Sequence, residues 1–159
     1  MAANKLLQKL NTGSALQQQI TQIAKALQPA IPTITAGQVV LSSAAPDLAD
    51  KNMQMAYPRV CIYSSNSKNT QIEKFRSFSG SVSLVAEIWA SANLVNQTDE
   101  WIHFYVEAVA EILQLNSGDW GDGMFYSGAY EVQFQPPKAG GLGFVQSAKL
   151  TFSLNVSVG

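Results

Sequence analysis

The chain has 159 residues, 47% hydrophobic and only 13% charged, with ten Lys and Arg against eleven Asp and Glu. That length suits one well-packed domain, and a net charge of −1 supplies no field to attract DNA phosphates or anionic lipid. The single cysteine, Cys61, excludes an internal disulfide and any CxxC metal or redox motif.

The N-terminal stretch "MAANKLLQKL" lacks the long apolar core and small-residue cleavage site of a secretory signal. No segment approaches the roughly 20 apolar residues that span a bilayer. The chain is therefore expected in a reducing cytoplasm, with no membrane partner. After this lead-in, residues 1–13, comes "SALQQQITQIAKALQPAIP". Leu16, Ile20, Ile23, Ala24 and Leu27 recur at the spacing of one helix face, with Ser14 placed as N-cap and Pro29 and Pro32 as stops. "QVVLSS" is a short strand candidate, and "AAPDLADKNMQMAYP" reads as loop with at most one helical turn.

"PRVCIYSS" is a compact strand opening on Pro58, where the missing N–H costs little. Within it Cys61 reads as a small core hydrophobe. Residues 64–78 form the most polar segment of the chain and hold Lys68, Glu73, Lys74, Phe75 and Arg76. They read either as a long hairpin loop or as two strand ends projecting past the sheet. "GSVSLVAEIWASA" then alternates, with Val82, Leu84, Ala86, Ile88 and Ala90 inward and Val85, Glu87 and Trp89 outward.

The second helix is expected in "NQTDEWIHFYVEAVAEILQLNSGDWGDG", with Thr98 as N-cap, Asp99 and Glu100 at the positive end of its dipole, and Asn116 and Gly118 at its end. Ile102, Tyr105, Val106, Val109, Ile112 and Leu113 make the core stripe. Trp101, Phe104, Ala108 and Leu115 make a second apolar stripe, which leaves Glu100, His103, Glu107 and Glu111 as the only charged edge. A helix so apolar is covered on two sides, by the sheet and by another element or subunit. "DWGDGMFYSG" reads as a glycine-punctuated loop, "YSGAYEVQFQP" as a strand and "PKAGGLG" as a turn. The closing strand begins near Phe144 and alternates to the end, with Ala148, Leu150, Phe152, Leu154, Val156 and Val158 inward and Ser147, Lys149, Thr151, Ser153, Asn155 and Ser157 outward. Strands grouped in pairs between helices predict an α+β domain: a mostly antiparallel sheet of four to five strands with two main helices packed on one face.

A search for chemistry returns little. His103 is the only histidine, so any triad or metal site has to include it, and nothing nominates a third ligand beside His103 and Glu107. "GDWGDG" lacks the lysine of a P-loop and the ligand pattern of an EF-hand, and "AGGLG" sits between strands rather than opening a helix. Trp120, Phe125 and Tyr126 have no basic groove beside them to bind nucleic acid and read instead as core or interface aromatics. No catalytic residue, metal ligand or cofactor is assigned. The outward strand faces carry few of the Lys, Glu and Pro residues that guard a free sheet surface. Small polar groups such as Thr151 and Ser153 can hydrogen-bond across a protein junction without the desolvation cost of buried charge. Contact with other protein is therefore expected through Lys68, Glu73, Lys74, Phe75 and Arg76 in the polar segment, Trp89, Lys149, Thr151 and Ser153 on the sheet, and Trp101, Phe104 and Trp120.

The order of these elements carries a resemblance. An amphipathic helix precedes the strand with Pro58, Val60 and Tyr63. A polar excursion, a strand with Glu87 and Trp89, the helix "WIHFYVEAVAEIL", a "Y-x-G-x-Y-E-V" strand and a long alternating last strand follow. From about Ser14 to Gly159 this resembles the tail terminator (tail completion) proteins of long-tailed bacteriophages and prophages. The resemblance implies an α+β subunit without catalytic residues or cofactor, assembled in the bacterial host cytoplasm and carried in the virion. Its partners would be itself, in a ring of typically six copies, the tail tube protein, whose polymerisation the ring halts, and the neck or head-completion proteins above. Family loops of this kind reach neighbouring subunits or the tube. By position these would be 64–78, with Lys68, Lys74 and Arg76 as contacts, 116–126 and 136–143. The rival expectations are a neck or head–tail adaptor subunit, and a small ligand carrier or enzyme with an aromatic pocket of Trp89, Trp101, Tyr105 and Trp120.

Overall fold

A computed structural model describes residues 16–41, 57–71, 73–140 and 143–159 of the chain. Ser14, the 1–13 lead-in and the 44–56 insert lie outside the described residues. Helix α1, Leu16–Leu27, turns Leu16, Ile20, Thr21 and Ala24 inward, while Leu27 is left largely exposed. The chain then folds back along the helix. Thr21 Oγ1 accepts the Ile34 N–H and the Lys25 ammonium donates to the Ile31 carbonyl, so Ile31 and Ile34 are buried beside it. A two-residue strand β1, Val39–Val40, follows a single 3₁₀ turn.

The sheet is built on three long strands, β2 (Arg59–Asn69), β3 (Phe78–Ala92) and β8 (Gly143–Val158), with β3 in the middle and antiparallel to both others. β1 joins β2 in parallel at Val60 and Cys61. Between β3 and β8 run helix α2 (Val95–Leu115) and four short strands, β4 (Gly118–Gly121), β5 (Met124–Tyr126), β6 (Glu131–Phe134) and β7 (Lys138–Gly140). Three of these, β7, β6 and β5, pair in turn along the far side of β8, and β4 pairs with β5. The α+β class and the mainly antiparallel sheet are as expected, but the described residues form eight strands rather than four to five. The difference lies in the segments read as loops. "DWGDGMFY" closes into a tight β4–β5 hairpin around Gly121 and Gly123, both at positive φ, and Gly128 (φ +96) breaks the expected "YSGAYEVQFQP" strand into β5 and β6.

α2 lies on β3 and β8, and α1 packs against α2, so the second cover on the apolar helix is an element of the same chain. Every residue of the expected α2 core stripe is buried. Each such aliphatic side chain contributes about 1.5–3 kcal/mol by leaving water. The helix begins at Val95, one turn before the start expected from a Thr98 cap. Leu94 holds the N-cap position without a side-chain cap, and Thr98 lies in the first helical stretch, donating its hydroxyl to the Leu94 carbonyl at 2.9 Å. Asp99 and Glu100 thus fall in the second turn, and the first turn has no acidic residue. At the far end Asn116 caps the helix, as expected, and its amide donates to the Ile112 carbonyl.

Candidate interaction surfaces

Length separates the two layers. At 21 residues α2 is roughly 30 Å long, whereas the 15 residues of β3 and 16 of β8 extend roughly 50 Å. The long strands are therefore longer than the helix by about 20 Å, and the polar 64–78 segment is the hairpin at one end of β2 and β3. Of the two readings open for that segment, the structure realises the strand extension. β2 pairs with β3 as far as Asn69 and Gly80, through one bulge between Ser64 and Asn66.

The tip is tied down on several sides. Asn69 Oδ1 accepts the Ser79 and Gln71 N–H groups, and the Glu73 N–H donates to Ser79 Oγ. The Glu73 carboxylate accepts from Arg76 Nε at 3.2 Å and from the Ser157 hydroxyl at 2.8 Å, and Ser77 Oγ donates to the Val158 carbonyl. On this braced turn Phe75 is 100% exposed and holds φ +71. A bulky L-residue in the left-handed region stores strain. Lys68, Lys74 and Arg76 are exposed around it, as the sequence placed them.

The sheet face opposite α2 divides into two halves. Near its centre Cys61, Val85, Glu87 and Ser147 are already buried in the single chain. The Tyr63 hydroxyl donates to Glu87 Oε2 at 2.9 Å, and burial followed by the Glu87 hydrogen bond and charge pushes the Tyr63 pKa up to about 12. In the adjacent row Arg59 stands opposite Trp89, and both Arg59 Nε and Trp89 Nε1 are buried with no hydrogen-bond partner among the described residues. Lys149 and Thr151 are half-buried. Toward the tip the face opens to solvent through Lys68, Ser153 and Asn155, with Ser83 and Ser153 joined hydroxyl to hydroxyl at 3.2 Å. The open half is the part available to another molecule.

Trp120 must be withdrawn as a contact residue. It is 4% exposed, its indole N–H donates to the Asn116 carbonyl, and its ring packs edge-on against Tyr126 and Phe152. The hairpin around Gly121 turns it inward. Trp101 and Phe104 are half-buried and rest on the rim of the core. The pocket of Trp89, Trp101, Tyr105 and Trp120 does not form. Ile88 faces the helix layer, so its neighbour Trp89 faces away from Tyr105 and Trp120. The Tyr105 hydroxyl is spent on the Pro32 carbonyl.

One surface escaped the sequence. Between the exposed edge of α2 and strand β6 runs an open groove of about 490 Å³. Val106, Ala110, Val132 and Phe134 floor it, and Glu107 and Glu111 edge it. The His103 ring stacks on Phe134 at one end. The acidic edge of α2 was visible in the sequence. Its pairing with an exposed aromatic strand depends on β6 crossing beside the helix, which no local signal announces.

Among the described residues no three His, Cys, Asp or Glu side chains converge as a metal site would require, and no helix is long and apolar enough to cross a membrane. No family model matches the chain, and no curated protein is significantly similar to it.

Proposed function

We propose that this chain is a structural subunit of a ring that terminates a bacteriophage tail tube, acting by contact rather than by catalysis. The order of elements on which the resemblance rests supports this reading. The observation that carries it is the long β2–β3 pair ending in a braced hairpin with a fully exposed phenylalanine. An isolated globule gains nothing from such a projection, whereas a subunit that must reach a neighbour or a tube needs one. The mechanism is steric. A ring of copies seats on the last ring of tube protein, buries its growing surface, and presents its other side to the neck. Repetition of one head-to-tail contact around an axis makes such an assembly finite.

The test is polymerisation of cognate tail tube protein with and without this protein, followed by electron microscopy. Capped tubes of limited length are the expected result. Binding to finished tails with no effect on tube length would instead identify a neck or head–tail adaptor, and an absence of any binding to tubes or tails would overturn the reading.

A further inference from the structure

We infer that the hairpin tip of one copy docks in the α2–β6 groove of the next, with Phe75 as the inserted side chain. The inference rests on the ring reading above for closure, and on the following geometry for the contact itself.

Tip and groove are complementary in shape and charge. The tip presents a fully exposed phenyl ring between Lys74 and Arg76. The groove offers an apolar floor of Val106, Ala110, Val132 and Phe134 between the carboxylates of Glu107 and Glu111, and its roughly 490 Å³ is ample for one aromatic side chain. Charge is segregated along the chain in the same sense. α2 carries Asp99, Glu100, Glu107 and Glu111 and no Lys or Arg, whereas residues 68–76 hold three basic residues and one acidic. An aromatic anchor ringed by opposite charges is the usual make-up of an interface hot spot.

A single copy cannot make this contact with itself. Across the sheet the order β2, β3, β8, β6 puts three strand spacings, about 14 Å, between the tip's first strand and the groove. Along β8, Val158 pairs beside the tip while Thr151 pairs with β6, seven residues or about 23 Å away. The bonds from Glu73 and Ser77 to Ser157 and Val158 hold the tip at its own end. Knob and hole therefore lie roughly 20 Å apart along the strands of one subunit. Joined between copies they form a heterologous contact, which propagates in one direction and closes into a ring when the rotation permits.

The test is sedimentation velocity and light scattering on the full chain. Wild type is expected as a closed oligomer, near six times 17.2 kDa. Phe75→Ala should weaken self-association roughly ten-fold or more, with an unchanged melting temperature at concentrations low enough to dissociate both proteins, because the side chain is fully exposed in its own subunit. Lys74→Glu should weaken it, Glu107→Lys/Glu111→Lys should weaken it, and the combined charge-swapped variant should recover assembly. A wild-type chain that stays monomeric at high concentration overturns the contact. So does an oligomer indifferent to Phe75→Ala, or charge-swapped surfaces that fail to recover. Tube capping is scored separately on the same proteins. Phe75→Ala that still assembles and caps removes this contact and leaves the ring, whereas a Phe75-dependent oligomer that leaves tubes uncapped removes the terminator reading and leaves the contact.

Discussion

The imidazole of His103 lies flat on the ring of Phe134, with centroids 4.2 Å apart and planes 11° from parallel. This stack joins the middle of α2 to the last residue of β6, across the two strands β4 and β5 that separate these elements in the chain. It also fixes one end of the groove. A stacked pair of this kind is worth about 0.5–1.5 kcal/mol beyond its buried area. Phe134→Ala should accordingly lower the melting temperature by roughly 2–5 °C, read by circular dichroism, and weaken self-association because the groove floor is shortened. A variant with unchanged melting would show that the stack is dispensable to the fold.

Tyr63 and Glu87 form the second relationship open to measurement. The carboxylate is 6% exposed, and the Tyr63 hydroxyl is its hydrogen-bond donor among the described residues. Tyr63→Phe leaves that buried acceptor unpaired, which costs about 1–3 kcal/mol. Replacing both partners by apolar groups removes the penalty as well as the bond, so Tyr63→Phe/Glu87→Leu should lie closer to wild type than Tyr63→Phe does. Urea unfolding of the four members of the cycle measures the coupling, and strictly additive effects would contradict it.

Alkaline titration should unfold the protein in a defined window. Burial raises the pKa of Tyr126 to about 12, with Tyr130 adding to it, and burial and Glu87 raise Tyr63 to about 12, against an ordinary value of 10.0. Tyr105, the most deeply buried of the three, is raised further in the same direction. A raised pKa means that the unfolded chain releases the proton first, so the stability tied to these hydroxyls is intact below pH 10 and falls as pH climbs from 10 to 12. Tyrosinate absorbance and loss of ellipticity should therefore rise together in that window. Full ionisation near pH 10 with ellipticity intact would contradict the burial of these rings.

Gly80 pairs with Asn69 at the end of the β2–β3 ladder. A Cβ there would run into the Lys68 carbonyl and crowd the Thr70 amide, both of them backbone. Gly80→Ala should push the strands apart at the root of the hairpin, at a cost of about 1–3 kcal/mol. It should also weaken self-association by misaiming Phe75. Hydrogen exchange at the Thr70 amide, which donates to the Ser79 carbonyl, should accelerate selectively, and protection equal to wild type would argue against the clash.

Much of the architecture was legible because two segments bury one face fully. β3 and β8 alternate over their whole paired length, and Leu84, Ile88, Leu150 and Leu154 are fully buried under α2 and its neighbours. The short strands were not legible because their existence depends on β8. β5 and β7 each contribute only three residues, too few for a period, and they are strands because β8 offers an unpaired edge. The second half of β2 shows the same effect: "SSNSKN" has no apolar alternation, since nothing covers it, and is held extended by pairing to β3. At the candidate sites the cations and Phe75 of the tip could be read directly. The groove could not, because its two walls are distant in sequence. Trp120 was misread because a glycine-rich run looks like an exposed loop until the hairpin turns its one indole inward.

The two borders of the sheet are unequal. One flank of β8 is subdivided among β5, β6 and β7, interrupted at Gly128 and at Pro136–Pro137, whereas beyond Ile62–Asn69 of β2 no further strand lies among the described residues. Main-chain zipping of copy onto copy needs two long vacant margins that fit each other. With one margin chopped into pieces, stacking of that sort would stall after a single addition, and the molecule is shielded from growing into endless ribbons even at high concentration.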